Sequence, residues 1–270
     1  MLYQNISDCH NHSNCSYDGK DSVSAMCRRG ADLGLLYHTL TDHCECDEYI
    51  RETNDYISVV KKAYADMLDA QKKLGESFLL GIELGQPLQN IAAVEDALSG
   101  RNYDFVIGSL HCLPNMPDFY FWDQVRLPLY TALDHYFEEL RQMVLWGKFD
   151  TLAHLTYPLR YIVGEHGIPV DFDRYTERIR ELYGIMIEKG IALELNTSGL
   201  RQKIGETLPN LELMTLYRKL GGELVTIGSD AHCTADLGKG IQEGLALLAQ
   251  AGFSYYTVYK NRKPMMIAIR

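Results

Sequence analysis

The residues best suited to chemistry in this chain are histidines and carboxylates set at the ends of apolar runs. His10 and His12 stand two apart in Asp8-Cys9-His10-Asn11-His12-Ser13. On an extended strand, residues two apart face the same way, so the pair presents two imidazoles to one metal ion. Asp18 follows in a turn closed by Gly19. Further on, His43 ends Thr41-Asp42-His43, Glu83 ends Gly81-Ile82-Glu83, His111 follows Gly108-Ser109-Leu110, His154 closes another apolar run, and Asp230 and His232 lie in Gly228-Ser229-Asp230-Ala231-His232. A lone histidine at a strand end is more often a hydrogen-bonded structural residue than a ligand. Nine such groups ending successive runs instead point to a metal cluster, and their mixed imidazole and carboxylate donors suit Zn, Fe or Mn. His38, inside its run, is expected to be a core histidine. His135 in a helical stretch and His166 in a loop are expected to be solvated.

These side chains have to be delivered to one place. Strand-like runs are expected over 2–8, 35–40, 78–83, 103–108, 149–154, 191–195 and 224–227, with helical spacing over 22–33, 54–74, 91–98, 129–146, 172–189, 211–220 and 241–251. Extended runs at 255–259 and 265–269 close the chain, and irregular connections at 112–128 and 156–169 are long enough to be lids or pocket walls. Strands alternating with helices predict an α/β chain with a parallel sheet. No Gly-x-Gly-x-x-Gly follows the first run, so a dinucleotide-binding fold is not indicated. A β/α barrel collects functional groups on the rim at its strand C-termini, where this chain places His10, His12, His43, Glu83, His111, His154, Asn196, Asp230 and His232. With no linker and no internal repeat, 1–270 reads as one domain.

Composition excludes some partners. A formal charge of −10 argues against a nucleic-acid binder, which needs a Lys/Arg surface, but a buried metal cluster can still attract a small anion. Neither a run of about 18 apolar residues nor a basic, then apolar leader is present, so a cytoplasmic protein with no membrane partner is expected. Seven cysteines are an odd number spread along the chain, which suits free thiols. Cys44-Glu45-Cys46 has no second Cys pair to complete a four-thiolate zinc site.

In combination and in order, His10-Asn11-His12-Ser13 with Asp18-Gly19, Thr41-Asp42-His43, Gly81-Ile82-Glu83, Gly108-Ser109-Leu110-His111, His154 and Gly228-Ser229-Asp230-Ala231-His232 resemble the PHP (polymerase and histidinol phosphatase) superfamily. Gly252-Phe253 with Asn261-Arg262-Lys263-Pro264 looks like its histidinol-phosphatase branch. The resemblance implies a distorted seven-stranded (β/α)7 TIM-like barrel and three divalent ions. His10, His12, Glu83 and Asp230 would hold one ion, Glu83 would bridge to a second held by His111 and His154, and Asp18, His43 and His232 would hold the third. It also implies a metal-dependent phosphomonoesterase acting on L-histidinol phosphate in histidine biosynthesis, giving L-histidinol and phosphate.

The expected chemistry is in-line attack on phosphorus by a hydroxide bridging two ions, since metal binding lowers the pKa of water to about 7. Three dications less the carboxylates of Asp18, Glu83 and Asp230 leave a net positive field for a phosphate dianion. Besides Glu83, Asp230 and His232 are expected to be catalytic, the leaving alkoxide taking its proton from a metal-bound water or from Asp230 or His232. Arg160 and Arg201, each after a rim segment, are expected on the phosphate, because the guanidinium fork matches its oxygens. Phe119, Tyr120 and Trp122 are expected to wall the organic half, and Asn196 to steady a ligand or water in the substrate site. The alternatives are a PHP phosphoesterase acting on another small phosphorylated metabolite, a nucleotide or a phosphodiester, and a non-catalytic metal-binding module. An amidohydrolase barrel also opens with His-x-His but requires neither Asp18 nor the Gly108 to His111 element. Sequence leaves the oligomeric state open.

Overall fold

The structure, a computed structural model, describes residues 3–48 and 56–270. The chain runs α1 (Val23–Asp32), β1 (His38–Leu40), β2 (His43–Glu45), α2 (Tyr56–Leu74), β3 (Phe78–Gly85), α3 (Ile91–Leu98), β4 (Phe105–Ser109), α4 (Leu129–Trp146) and β5 (Thr151–Leu152). It continues through a short helix α5 (Tyr157–Leu159), α6 (Thr176–Lys189), β6 (Ala192–Asn196), α7 (Leu211–Lys219), β7 (Val225–Gly228) and α8 (Ile241–Gln250), and ends in the hairpin β8 (Tyr255–Lys260) and β9 (Lys263–Ala268). Helix limits follow their chemistry. Ser22, Asn90 and Asn210 cap α1, α3 and α7 through their side chains, while Gly147 and Gly190 end α4 and α6 in the left-handed conformation. Among the described residues no helix is long and apolar enough to cross a membrane.

The sheet is parallel and curled, in the order β1-β3-β4-β5-β6-β7, with β2 also pairing on β3. β1 lies beside Phe78 to Leu80 and β2 beside Glu83 to Gly85, so the two are successive halves of one stave, broken at Thr41 and Asp42. β3, β4, β6 and β7 are buried along their whole length, as strands covered on both faces must be. The N-terminal run expected over 2–8 is not a regular strand. Pairing starts at Asp8 and runs on through the His-x-His segment. On one side Asp8 and Asn11 exchange backbone hydrogen bonds with Tyr37, Thr39 and Thr41. On the other, Cys9 and His12 donate to Ile227 and Ala231, and His10 accepts from Asp230. This segment is hydrogen-bonded to both edges of the curled sheet, the β1 and β2 stave on one side and β7 on the other.

The start of the helix expected at 54–74 lies outside the described residues. The connection expected at 156–169 is instead helical: α5 starts on Pro158 at its first turn and passes into a wide π-helical turn over Arg160–Glu165. At the opposite end of the sheet, the hairpin tip is tied under two strands. Asp104 takes backbone N–H groups from Leu80 and Asn261, and Asp150 takes one from Val106 and pairs with the Arg262 guanidinium.

Candidate metal centre

All nine expected ligands lie on the rim at the strand C-termini, and eight of them are largely or fully buried against one another. Glu83, fully buried at the end of β3, is their centre. Its Oε2 lies 3.3 Å from His10 Nε2 and 3.6 Å from His12 Nε2, and its Oε1 lies 3.3 Å from His111 Nε2 and 3.2 Å from His154 Nε2. Asp230 Oδ1 stands 3.4 Å from His12 Nε2 and 3.8 Å from His10 Nε2. At the mouth, Asp18 approaches His232 Nε2 at 3.1 Å and His43 Nε2 at 3.8 Å. Donors held about 2.1 Å from one ion at tetrahedral angles stand about 3.4 Å from each other, which is the spacing found here.

Two observations test whether the residues fit metal ions. His10 Nε2, His12 Nε2 and Glu83 Oε2 are buried with no hydrogen-bond partner, an arrangement costing about 1–3 kcal/mol per group unless something else supplies the charge. The other ring nitrogens face acceptors: His10 Nδ1 meets Glu194 at 2.6 Å, His111 Nδ1 meets Glu45 at 3.0 Å, His232 Nδ1 meets the Asp230 carbonyl at 3.0 Å, and His12 Nδ1 meets Ser16 Oγ at 3.3 Å. An imidazole whose Nδ1–H is held this way turns its Nε2 lone pair toward the cluster. The residues fit divalent metals. His12 also falls within reach of His43 and His232, and His43 within reach of Glu83 and His111, so neighbouring donor groups overlap.

Electrostatics follow from this crowding. Burial pushes the Asp18 carboxyl up, but the hydrogen bond from His232 and the nearby His43 outweigh it and hold it at about 2. Burial, with His43 and His232 alongside, holds His12 at about 3, the neutral form that ligates. For His111 burial acts downward, yet Glu45 and Glu83 lift it to about 10.

Two carboxylates escaped the sequence reading. Glu45 shares the inward face of β2 with His43, two residues before it. Its Oε1 lies 3.0 Å from His111 Nδ1 and 3.1 Å from His43 Nδ1, while its Oε2 accepts from Gln86 at 2.6 Å. Gly85 makes the room, since a Cβ there would fall 2.2 Å from Glu45 Oε2. Glu194 on β6 holds His10 through one oxygen and the His154 backbone N–H through the other, at 2.8 Å. Gly228 admits that packing, because a Cβ on it would lie 2.3 Å from His10 Cβ and 2.8 Å from Glu194 Oε1. A carboxylate inside an apolar strand was the available signal for each. Together they add two carboxylates beside the donor cluster, and Arg160 adds one guanidinium.

A cleft of about 260 Å³ opens over the cluster, lined by Tyr17, Asp18, Asp118, Tyr120, Phe121, Tyr157, Arg160 and Tyr161 with the exposed edges of the histidines. Arg160 is there as expected, with Nη2 2.9 Å from Asp230 Oδ2 and 2.7 Å from Ser198 Oγ, while its buried Nε has no partner. Arg201 does not line the cleft. Its guanidinium is spent on the carbonyls of Ser229 and Lys239, behind Asp230. Of the expected aromatics only Tyr120 lines the cleft. Phe119 turns into the core against Tyr136, and Trp122 packs on His166. Asn196 is fully buried behind the rim, donating to Glu194, which in turn holds His10, and accepting from Ser198. His38 is buried on Asn11, as expected of a core histidine.

The sequence matches the family described as PHP domain over residues 8–198. It is 30% identical over 267 residues to a protein of Thermotoga maritima named "Probable histidinol-phosphatase", covering 97% of this chain and 99% of that one. It is 23% identical to the histidinol-phosphatase of Lactococcus lactis, with 95% of each chain covered. Among solved structures, the Lactococcus lactis histidinol phosphate phosphatase complexed with zinc, L-histidinol and phosphate superimposes with a TM-score of 0.78 at 21% identity, over 97% of this chain and 99% of that one. That likeness is one of fold.

Proposed function

The chain belongs to the PHP domain family and to its histidinol-phosphatase branch, and from that premise we propose that it is a metal-dependent phosphomonoesterase releasing phosphate from L-histidinol phosphate. The observation that carries this reading is the convergence of five histidines on Glu83, with Asp18, Asp230 and His232 beside them, beneath a cleft with an arginine in its wall. His10, His12, Glu83 and Asp230 are the donors for one divalent ion, Glu83 with His111 and His154 for a second, and Asp18, His43 and His232 for a third. Such ions supply positive charge for the phosphoryl oxygens and acidify water at neutral pH.

The chain's own residues do the positioning. Arg160, pinned by Asp230 and Ser198 in the wall of the cleft, offers its guanidinium charge to the phosphate. Asp230 accepts from Arg160 Nη2, and although burial acts upward, His10, His12 and Arg160 hold its carboxyl well below the usual range. It therefore orients groups and does not donate the leaving-group proton. His232, 26% exposed at the mouth, stands where solvent can return that proton to the departing alcohol. Tyr120, Phe121, Tyr157 and Tyr161 exclude water from the organic half. Counting the Asp8 to His12 segment as a stave, and β1 with β2 as another, we read the sheet as a distorted (β/α)7 barrel forming one domain over 1–270. Taken with the enzyme's small substrate, a cytoplasmic site of action is part of the same reading.

A phosphate-release assay on metal-reconstituted protein with L-histidinol phosphate, AMP and a phosphodiester tests the proposal. A clear preference for histidinol phosphate is expected, and equal or absent turnover would overturn it. Arg160→Ala is expected to raise KM for the monoester about 10- to 100-fold, the loss of a charge-assisted hydrogen bond of roughly 1.5–3 kcal/mol. Steady-state kinetics with an unchanged KM would remove Arg160 from the phosphate. Glu45→Gln, which frees ligands of two ions at once, is expected to weaken metal binding about 10- to 100-fold, read as metal content after dialysis against a buffered metal series.

A further inference from the structure

The cleft has two chemically opposite ends. One is the metal centre with Arg160, which suits an anion. The other is built around Asp118, in the loop between β4 and α4. Its carboxylate accepts only from neutral donors, the Tyr157 hydroxyl at 2.9 and 3.1 Å and the Tyr120 N–H at 2.6 Å, and it pairs with no Lys or Arg of the described residues. Aromatic rings surround it. Tyr157 and Tyr161 lie 5.3 Å apart edge to face, Tyr120 meets Tyr161 at 5.5 Å, and Phe121 meets Tyr120 at 4.8 Å. Beyond Asp118 the cleft continues into a second hollow of about 350 Å³ lined by Tyr17, Glu45, Asp47, Glu48 and Phe121. A carboxylate among aromatic faces attracts an organic cation by both charge and ring quadrupole, and the one guanidinium close to these rings, that of Arg160, lies 5.0 Å from the Tyr157 ring and is paired with Asp230 instead.

We propose that Asp118 is the specificity-determining residue of this site, receiving the protonated amine or imidazolium of the leaving alcohol while the phosphate sits on the metal side. This rests on the phosphatase reading above and adds the rule by which substrates are chosen: monoesters whose alcohol carries a cationic nitrogen. Histidinol carries both an amine and an imidazole, and phenyl phosphate carries neither.

The test compares wild type, D118N and D118E on L-histidinol phosphate and phenyl phosphate, with L-histidinol as a competitive inhibitor. For D118N, kcat/KM on histidinol phosphate is expected to fall about 30-fold, mostly through KM, as for loss of one charge-assisted bond. Inhibition by L-histidinol should weaken in parallel, phenyl phosphate turnover should stay within about threefold, and D118E should recover part of the loss. If D118N does not fold, D118S, which still offers Tyr157 a partner, supplies the same comparison. A wild type with no preference for histidinol phosphate would overturn the substrate reading itself. A wild type with the preference, and a variant that either keeps it or loses both substrates equally, would overturn the role of Asp118 alone.

Discussion

Glu83→Gln is expected to lower kcat by at least about 10³-fold and to empty two metal positions in a protein that still folds. The side chain keeps its shape and loses its charge. At this site that difference is large, because Glu83 is fully buried and its two oxygens serve different histidine pairs, His10 and His12 on one side and His111 and His154 on the other. An amide offers one oxygen and one NH2, so whichever way it turns, a donor faces ring nitrogens that are aimed at the same point. Burial works against the charge on Glu83, yet His10, His43 and His111 hold its carboxyl far below the usual range. The ionised form is therefore the one the pocket is built around. Turnover, metal content by mass spectrometry and the far-ultraviolet circular dichroism spectrum decide the matter together. A folded variant with wild-type metal content and wild-type turnover would remove Glu83 from the centre.

Stripping the metals with a chelator is expected to lower Tm by about 10 °C or more. Each tightly bound ion stabilises the folded state by mass action, by about 4 kcal/mol when free metal stands a thousandfold above Kd. In a chain of this size 1 kcal/mol moves Tm by roughly 2–4 °C. The sign of the accompanying proton exchange follows from the histidines. In the metal-free protein burial acts to lower His10, His43 and His111, but Glu194, Glu83 and Glu45 outweigh it and hold all three above their ordinary value, His111 at about 10. These rings therefore carry protons at pH 7 when no metal is bound. Metal binding must release protons, and acidification must weaken it. Calorimetric titrations of the chelated protein in two buffers of different ionisation enthalpy measure the number released. A binding heat that does not depend on the buffer would contradict the expected exchange.

How far the sequence disclosed this arrangement depends on what each element reports to its neighbours in the chain. The strands buried on both faces announce themselves as unbroken apolar runs, which is why the polar residue ending each one stood out and why Glu83, His111 and Asp230 were found. The stave containing His43 was harder to read. Thr41 and Asp42 interrupt it, so β2 was missed, and with it the inward alternation that puts Glu45 beside His43. Glu194 was passed over in favour of Asn196 at the strand end, although a carboxylate between Leu193 and Leu195 has to be either paired or functional. The two long connections carried no periodicity from which to choose inward residues. Around the 3₁₀ turn Phe119–Phe121, Tyr120 and Phe121 face the cleft while Phe119 and the following Trp122 are buried, and composition alone does not phase such a turn. Pro158 at the start of a helix was a usable signal for Tyr157 and Tyr161.

The hairpin tip beneath the far end of the sheet divides the molecule's labour. Asp104 and Asp150 each fix the start of a strand, and Asn261 and Arg262 draw the two together, so the ring is clasped where no substrate comes. Asp118, Tyr120, Tyr157 and Tyr161 sit in connections at the other rim and bear none of that clasp. Selection can therefore remodel which alcohol the enzyme accepts while leaving the framework untouched, and descendants of one such ancestor can diverge in diet without renegotiating how they fold.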